Sequence, residues 1–476
     1  MNMETAPILL HDGNIVTSGY TAKGSLLLQG DRIGRIFLPD ASGFVEVSGR
    51  AVRYEELPSA LSAEYPGLNV SVLTGRHIMS GGVDAHVHFR DPGLVHKGDF
   101  GTESRAALLG GITSVIDMPN TVPPTVSEAA LEAKAESAAG RSFTDFGFHI
   151  GATDDNFDEI LRIAEEAPES FAGIKVFMGS STGNMLVNSD EALARIFSVK
   201  DRPVLVHSED EATIKANLKA ALGRFGDDIP FGEHPNIRSR RACILSTVKA
   251  LELAIKYGTR MHLCHISTAE EVEMVRAAKA VNPGITAETS VNYMWFSDKD
   301  YPILGSRLKC NPAIKTSRDA EAITEGVRNG IIDTIGSDHA PHLASEKAGT
   351  YMSAPSGIPS VQYSLPVLLT IADRNGIPLS RAASVFSANP AKIFGIPDKG
   401  EIAEGAAADL VVFSASEEFA VRREDIAGKC GWSPYEGAVL KGAVESVYLA
   451  GRQVVRDKRT VDGIPEGKRL RFNVRK

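Results

Sequence analysis

The architecture is first indicated by Val83-Asp84-Ala85-His86-Val87-His88-Phe89, a short apolar run that carries two histidines. Seven further apolar runs follow it, at residues 114–118, 145–151, 173–178, 203–207, 261–266, 285–289 and 333–337. Helical periodicity fills most of the gaps, most clearly at residues 127–139, 155–167, 190–199, 240–257 and 268–280. Apolar strands that alternate with helices build a parallel sheet with crossover connections. Eight such strands predict an α/β fold, a closed (β/α)₈ TIM-type barrel rather than an open doubly wound sheet.

Both ends of the chain show a different pattern, in which strand-like pieces are broken by turns. Such pieces occur in residues 8–38, around His11-Asp12-Gly13-Asn14 and Gly30-Asp31, and again in residues 408–413 and 444–455. Neither end is long enough to bury a core alone, so we expect the two to pair into a small β-sandwich. The predicted domains are a sandwich of residues 1–75 and 395–476 and a barrel of residues 76–394. The polar stretch 53–72 is assigned to neither pattern.

Composition favours a globular enzyme that acts on a small molecule. Of the 476 residues, 43% are hydrophobic and 23% are charged, which is ordinary for a protein with a large core. The net charge is -9 and no basic cluster is visible, so we expect no nucleic-acid partner.

Cysteine usage and the amino terminus bear on the compartment. Cys243, Cys264, Cys310 and Cys430 are scattered and form no Cys-x-x-Cys pair, which argues against a disulfide framework and a thiolate zinc site. The first eight residues lack a basic start followed by a long apolar run, and no apolar segment reaches the roughly 18 residues of a membrane span. We therefore expect an unprocessed, cytoplasmic protein with no membrane partner.

The first predicted strand carries the clearest chemical signal. Because strand side chains alternate, His86, His88 and Arg90 project to the same side. Two imidazoles with a guanidinium beyond them are costly inside a barrel unless a metal or an anion occupies the space. The two histidines could instead form a hydrogen-bonded polar patch, and this motif alone leaves both interpretations open.

Other predicted strands end in residues of the same kind. His207 closes the fifth run, His265 closes the sixth and Asp338 follows the eighth. Barrel enzymes place their active sites at the carboxyl ends of the strands. The sequence therefore predicts that four histidines and one aspartate converge there.

Lys175 lies within the fourth run, between apolar neighbours that would strip its amine of water. A desolvated amine can add to carbon dioxide, and the resulting carbamate can bridge two metal ions. The alternative is an interior salt bridge with Asp338 or another acid, but the four histidines favour the carbamate. The predicted cofactors are two divalent ions, zinc before nickel, cobalt or manganese.

The remaining histidines are expected to have no ligand role. His149 and His262 lie inside strand runs but out of phase with the ligand positions, so core or outer-face roles are expected. His96 and His234 lie in loop-like sequence, where exposure to solvent is expected.

Three motifs together resemble the dihydroorotases of the amidohydrolase superfamily: His86-Val87-His88-Phe89-Arg90-Asp91-Pro92-Gly93, Asp117-Met118-Pro119-Asn120-Thr121 and Ser337-Asp338-His339-Ala340-Pro341-His342. The resemblance extends from about Gly24 to Val455. Gly173-Ile174-Lys175-Val176-Phe177-Met178-Gly179-Ser180-Ser181-Thr182-Gly183 is similar to the branch with a carbamylated lysine. The resemblance implies the terminal β-sandwich as well, and a possible homodimer.

The resemblance also implies a role for each site residue. His86 and His88 would hold the more buried metal, His207 and His265 the other, and Lys175 would bridge them. Asp338 would be both a ligand and the catalytic base. The substrate carboxylate would be held by Arg90, Asn120 and His342, with Asn311 as a further substrate contact.

The implied reaction is reversible hydrolysis of dihydroorotate to N-carbamoyl-aspartate, a step of pyrimidine biosynthesis. Hydantoinases, dihydropyrimidinases and allantoinases share the metal ligands but are not expected to share the pair Arg90 and Asn120. A catalytically silent homologue that serves as an assembly subunit is a further alternative, since fold alone does not fix function. All six ligand residues are present, which argues against it.

Overall fold

The computed structural model describes residues 6–179, 185–187 and 189–473. Residues 180–183, which end the predicted carbamylated-lysine motif, and residues 1–5 lie outside the described part of the chain. Among the described helices, none combines the length and the apolar character that a bilayer crossing requires.

Among the described residues, seven strands precede the barrel: β1 (Ile8–Val16), β2 (Thr21–Gln29), β3 (Arg32–Phe37), β4 (Phe44–Val47), β5 (Arg50–Arg53), β6 (Asn69–Val72) and β7 (His77–Ser80). β1 pairs antiparallel with β2 and parallel with β6 and β7, while β4 and β5 form a separate hairpin. Residues 44–72, which include the stretch that the sequence pattern left unassigned, cover one face of this sheet. Their apolar side chains Val45, Val47, Tyr54, Leu57 and Leu61 cluster with Leu9, Leu27 and Phe37.

The barrel strands follow: β8 (Gly82–Val87), β9 (Ile112–Asp117), β10 (Asp145–Phe148), β11 (Ile150–Gly151), β12 (Ile174–Phe177), β13 (Val204–His207), β14 (Met261–Leu263), β15 (Thr286–Thr289) and β16 (Thr334–Ile335). Each of the eight predicted runs overlaps one of them. β10 and β11 are two pieces of the third barrel strand, separated by His149. The pairs between neighbouring strands are parallel.

The ring is closed between its first and last strands. Val87 forms a parallel bridge with His339, and the His88 amide donates to the His339 carbonyl at 2.8 Å. The predicted (β/α)₈ barrel is therefore confirmed.

The described helices are α1 (Leu57–Glu64), α2 (Phe100–Leu109), α3 (Glu128–Ala138), α4 (Phe157–Glu166), α5 (Asp190–Phe197), α6 (Glu211–Phe225), α7 (His234–Ile237), α8 (Arg240–Tyr257), α9 (Ala269–Val281), α10 (Val291–Trp295), α11 (Tyr301–Leu304), α12 (Ser317–Arg328), α13 (Ala344–Lys347), α14 (Ser364–Asn375), α15 (Leu379–Ala383) and α16 (Asn389–Phe394). Several begin at a hydroxyl residue that accepts a backbone amide, as Ser127, Ser239 and Thr268 do. Such caps satisfy amides that the first helical turn leaves without partners.

In the described part of the chain, four strands follow the barrel: β17 (Leu410–Ala420), β18 (Val439–Leu449), β19 (Arg452–Arg456) and β20 (Arg459–Thr460). β17 pairs antiparallel with both β7 and β18, so the two chain ends form one sheet of order β20-β19-β18-β17-β7-β1-β2-β3. The sheet curls back on itself, because the Ile33 amide of β3 donates to the Ala406 carbonyl just ahead of β17. Apolar residues from both halves, among them Leu10, Leu26, Ile78 and Val412, meet inside. The expected small β-sandwich is confirmed.

Lys399 joins the sandwich to the barrel. Its ammonium lies 2.8 Å from Asp145 Oδ2 in β10 and also contacts Asp409, which precedes β17. Burial opposes a charged amine, but Asp409 and Asp145 raise the pKa of Lys399 above its ordinary value. β7 belongs to the terminal sheet although it lies within the range 76–394 predicted for the barrel, and the two-domain boundaries stay a prediction.

Candidate active site

The predicted site residues gather at the carboxyl ends of the barrel strands. Eight of them line one small cavity: His86, His88, Arg90, Lys175, His207, His265, Asn311 and Asp338. The other two, Asn120 and His342, contact the lining residues His88 and Arg90. The structure thus brings together ten side chains from positions 86 to 342 of the sequence. Arg90 and His342, which are in contact, are 252 positions apart.

His86, His88 and Asp338 form the first cluster of possible metal ligands. Asp338 Oδ1 lies 3.4 Å from His86 Nε2 and 3.1 Å from His88 Nε2. One ligand atom from each of the three residues lies within 4.8 Å of the others. This spacing suits a single divalent cation.

The far nitrogen of each ring is held by a neighbour. His86 Nδ1 donates to Glu288 Oε1 at 2.5 Å, and His88 Nδ1 donates to Asn120 Oδ1 at 2.7 Å. Both rings therefore turn Nε2 toward Asp338. Such partners fix the tautomer and orientation of metal-binding histidines.

The charges in this cluster are strongly coupled. Burial alone would lower the pKa of His86, but the carboxylates of Glu288 and Asp338 raise it to about 10. Burial would raise the pKa of Asp338, yet the imidazoles of His86 and His88 hold it well below its usual range. The two carboxylates stabilise positive charge between them, which is what a cation site requires.

His207 and His265 form the second cluster. His207 Nδ1 lies 3.0 Å from His265 Nε2, and both rings are buried. His207 Nε2 donates to Glu209 Oε2 at 3.0 Å, and Glu209 also accepts from Arg238. Among the described residues, His265 Nδ1 is buried without a hydrogen-bond partner.

Lys175 reaches the cavity from β12 and is almost fully buried. Its Nζ lies 3.1 Å from Cys264 Sγ and 5.2 Å from the centre of the Phe177 ring. Asp338 pairs with the two histidines of the first cluster, and within the described residues no carboxylate forms an ion pair with Lys175. The interior salt bridge considered as an alternative for this lysine is therefore not formed.

Glu209 and Glu288 are functional candidates that the sequence analysis missed. Both are buried and both hold a histidine of the site. The available signals were a glutamate inside an apolar strand, Ala287-Glu288-Thr289, and a glutamate two positions after His207. A charged residue inside a buried strand needs a partner, and a nearby histidine is a common one.

The expected substrate contacts lie on one side of the cavity. Arg90 is 3% exposed, donates from Nε to the Pro341 carbonyl at 3.2 Å, and places Nη2 3.1 Å from His342 Nε2. Burial lowers the pKa of Arg90 to about 10, so its guanidinium stays charged at neutral pH. Asn311 Oδ1 is buried with no hydrogen-bond partner among the described residues.

Three site residues adopt left-handed backbone conformations: Arg90 with φ 69°, His265 with φ 37° and Asp338 with φ 47°. For residues other than glycine this region costs about 1–3 kcal/mol and persists where the surrounding structure requires it. The turns after β8, β14 and β16 use it to aim these side chains into the cavity.

A segment of the terminal domain packs on this side of the barrel. The connection between β17 and β18, residues 421–438, carries Trp432, whose Nε1 donates to the His342 carbonyl at 2.7 Å. Tyr435 in the same connection donates to Asn292 Oδ1 at 2.5 Å. Both rings are buried.

The donor set fits a pair of divalent ions. It offers four imidazoles, one carboxylate and a buried amine, and among the described residues this amine has no counter-ion and His265 Nδ1 has no hydrogen-bond partner. Imidazole and carboxylate are the ligands that zinc prefers in catalytic sites.

Of the four histidines outside the site for which a position was expected, three are placed as expected. His149 and His262 are buried, the first with Nε2 3.0 Å from the Ala85 carbonyl and the second with Nδ1 2.8 Å from Thr286 Oγ1. His96 is exposed. The expectation for His234 is wrong: it is 1% exposed and bonds to the Cys310 carbonyl and the Tyr351 hydroxyl, so it supports the turn that carries Asn311.

Comparison with known proteins identifies clear relatives. Residues 77–454 match the model of the amidohydrolase family. A dihydroorotase from Methanosarcina acetivorans is 36% identical over 375 residues, which cover 76% of this chain and 78% of the relative. An allantoinase from Streptomyces avermitilis is 31% identical, with 86% of this chain and 91% of the relative covered. The solved structure of an L-hydantoinase (dihydropyrimidinase) from Arthrobacter aurescens superimposes with a TM-score of 0.87 at 26% identity, covering 98% of this chain and 100% of that one.

Proposed function

This chain belongs to the amidohydrolase family, and we propose that it acts as a dihydroorotase, which reversibly hydrolyses the ring amide of dihydroorotate to N-carbamoyl-aspartate. The observation that carries this proposal is the buried guanidinium of Arg90, which lies beside His342 at the wall of the cavity that holds the four histidines. A carboxylate on the ring would pair with it, whereas hydantoin or allantoin would leave the buried charge without a partner. The dihydroorotase relatives support the same substrate. We place the reaction in pyrimidine biosynthesis, in the cytoplasm.

The metal ions would be held by the two histidine clusters. We assign His86 and His88, together with Asp338, to one zinc ion and His207 and His265 to the other, with Lys175 between them. Bound there, divalent ions would act as Lewis acids that polarise the ring carbonyl and make water acidic enough to serve as the nucleophile.

Lys175 is proposed to carry a carbamate. A buried ammonium without a counter-ion is costly, and none of the described carboxylates pairs with it. Addition of the amine to carbon dioxide forms a C–N bond and releases a proton, which converts the side chain into an anion with two oxygen donors. Such a group would balance the charge of two cations.

Asp338 is proposed to be the catalytic base. Its carboxylate faces His86 and His88, which keep it ionised. It would accept a proton from the attacking water and deliver it to the ring nitrogen as the amide bond breaks. Arg90, Asn120 and His342 would hold the ring by its carboxylate and Asn311 would contact it, so that the carbonyl carbon stays within reach of the water.

The test combines metal analysis with hydrolysis assays on one preparation. We expect divalent ions to be retained and kcat/KM to be highest for dihydroorotate when dihydroorotate, hydantoin and allantoin are assayed side by side. A preference for hydantoin or allantoin would move the chain to the group of its allantoinase relatives and hydantoinase neighbours. Protein that retains no metal and turns over none of the three would instead support an assembly subunit.

A further inference from the structure

Lys97 is a charged residue that the proposed chemistry leaves without a role. It lies in the turn that follows β8, and only 13% of its side chain is exposed. Its Nζ lies 3.1 Å from His342 Nδ1 and 3.0 Å from Glu346 Oε1. The carboxylate of Glu346 balances the charge of the ammonium, which also donates a hydrogen bond to the His342 imidazole.

The contact between Lys97 and His342 decides where the imidazole proton sits. An ammonium group has three donors and no acceptor, so His342 Nδ1 must be the acceptor. Burial, followed by the charges of Arg90 and Lys97, lowers the pKa of His342 to about 2, so the ring is neutral near pH 7. The single ring proton is therefore on Nε2, which donates to the Ser356 carbonyl at 3.0 Å.

This tautomer places two donors next to each other. Arg90 Nη2 lies 3.1 Å from His342 Nε2, and both nitrogens carry hydrogen. Arg90, Ser356 and Gly357 form the adjoining wall of the cavity. Because Nε2 already donates its one hydrogen to Ser356, it offers no lone pair to Arg90, and the Nη2 hydrogens of Arg90 stay free for an anionic oxygen at this wall. In the opposite tautomer Nε2 would accept from Arg90 and compete with such an oxygen.

We infer that Lys97 is a positioning residue, which fixes the His342 tautomer and thereby keeps the Nη2 donors of Arg90 free for the substrate carboxylate. The inference rests on the proposed function, because it takes the ligand to be a ring that carries a carboxylate. Lys97 itself does not touch the ligand.

The experiment measures binding of orotate, a planar analogue of dihydroorotate, to metal-loaded protein by calorimetry. Lys97→Met should weaken orotate binding about tenfold or more, the usual effect of losing a hydrogen bond to a charged group. It should also raise the KM for dihydroorotate while kcat changes little. Lys97→Arg restores a cationic donor and should recover most of the affinity. Lys249→Met, which removes an equal charge from an exposed pair with Asp190, is the matched control.

Acetohydroxamate, a small ligand directed at metal ions, separates positioning from structural damage. Its affinity should be the same in wild-type and Lys97→Met protein. Orotate affinity within twofold of wild type, or an equal loss for both ligands, would overturn the inference. If wild-type protein binds orotate but does not hydrolyse dihydroorotate, the proposed function fails while the role of Lys97 is still decided by the orotate titration.

Discussion

Asp338 is the residue whose substitution should separate chemistry from folding. Asp338→Asn keeps the shape of the side chain but removes the group that accepts the proton. We expect kcat for dihydroorotate to fall by about 10²–10⁴-fold, the usual contribution of a general base, with an unchanged circular dichroism spectrum. Metal content measured on the same sample shows whether a loss of bound metal causes the lower kcat. Wild-type turnover in this variant would remove Asp338 from the mechanism.

Glu209 should act on the metal through His207. Glu209→Gln keeps an oxygen near His207 Nε2 but removes the charge that holds both this ring and Arg238. Groups that orient a ligating histidine typically contribute 10–100-fold to metal affinity, so we expect zinc affinity to fall by about that factor. Titration with a competing chelator measures it. Glu270→Gln, at a partly exposed pair with Arg240, is the control and should bind zinc as wild type does. Equal affinity in both variants would contradict the role of Glu209.

At the level of single residues, the sequence was informative where the spacing itself carries geometry. His86 and His88 share a strand, and His207, His265 and Asp338 follow strand ends, so their convergence followed from barrel architecture. Glu288 was missed because its partner His86 lies on a distant strand. Glu209 was missed because a position two residues after His207 does not by itself show that the carboxylate reaches the ring. His234 was wrongly expected to be exposed, since nothing local shows that Cys310 and Tyr351 pack against it.

The connection between β17 and β18 should influence substrate binding although it belongs to the terminal domain. Trp432→Phe keeps an aromatic side chain but leaves the His342 carbonyl without its donor. We expect the free energy of unfolding to fall by about 1–3 kcal/mol, the penalty for an unsatisfied buried acceptor, and the KM for dihydroorotate to rise. Chemical denaturation and steady-state assays measure the two effects. An unchanged KM would show that this connection only covers the barrel.

Elements were predicted best where the pattern was long and regular. The helix predicted at residues 240–257 matches α8, and each predicted strand run overlaps an observed strand. The interruption of the third strand at His149 was not predicted, because β10 and β11 form one continuous apolar run in the sequence. Residues 44–72 could not be placed since their apolar side chains become a pattern only against Leu9, Leu27 and Phe37 of the neighbouring sheet.

Lys399 should be a main determinant of how firmly the two parts of the molecule hold together. Lys399→Met removes the cation from the buried Asp409 and the partly buried Asp145. Removing one partner of a buried ion pair costs about 3–5 kcal/mol, so we expect a loss of that size in the free energy of unfolding. Urea denaturation followed by fluorescence measures it.

The control for Lys399→Met is Lys458→Met, which removes a half-exposed lysine that pairs with Glu417. Exposed pairs contribute about 0–1 kcal/mol, and this variant should unfold close to wild type. Equal losses in the two variants would mean that the link between barrel and sandwich does not depend on Lys399.

At the scale of the whole molecule, the sequence predicted the barrel and the pairing of the chain ends but not the order of the strands. Local periodicity shows which segments are strands. The position of β17 beside β7, in contrast, depends on contacts between residues more than 300 positions apart in the sequence.

The pairing of β17 with β7 determines when the terminal sheet can form during synthesis of the chain. Strands β1 to β7 leave the ribosome before β17, so β7 meets its antiparallel neighbour only when residues 410–413 emerge. Until then the edge of β7 stays unpaired while the barrel is translated. Unpaired strand edges of this kind are prone to aggregation, which chaperones counteract in the cell. A chain that ends before residue 410 therefore lacks the antiparallel neighbour of β7, and the sheet that contains β1, β2, β3, β6 and β7 stays incomplete.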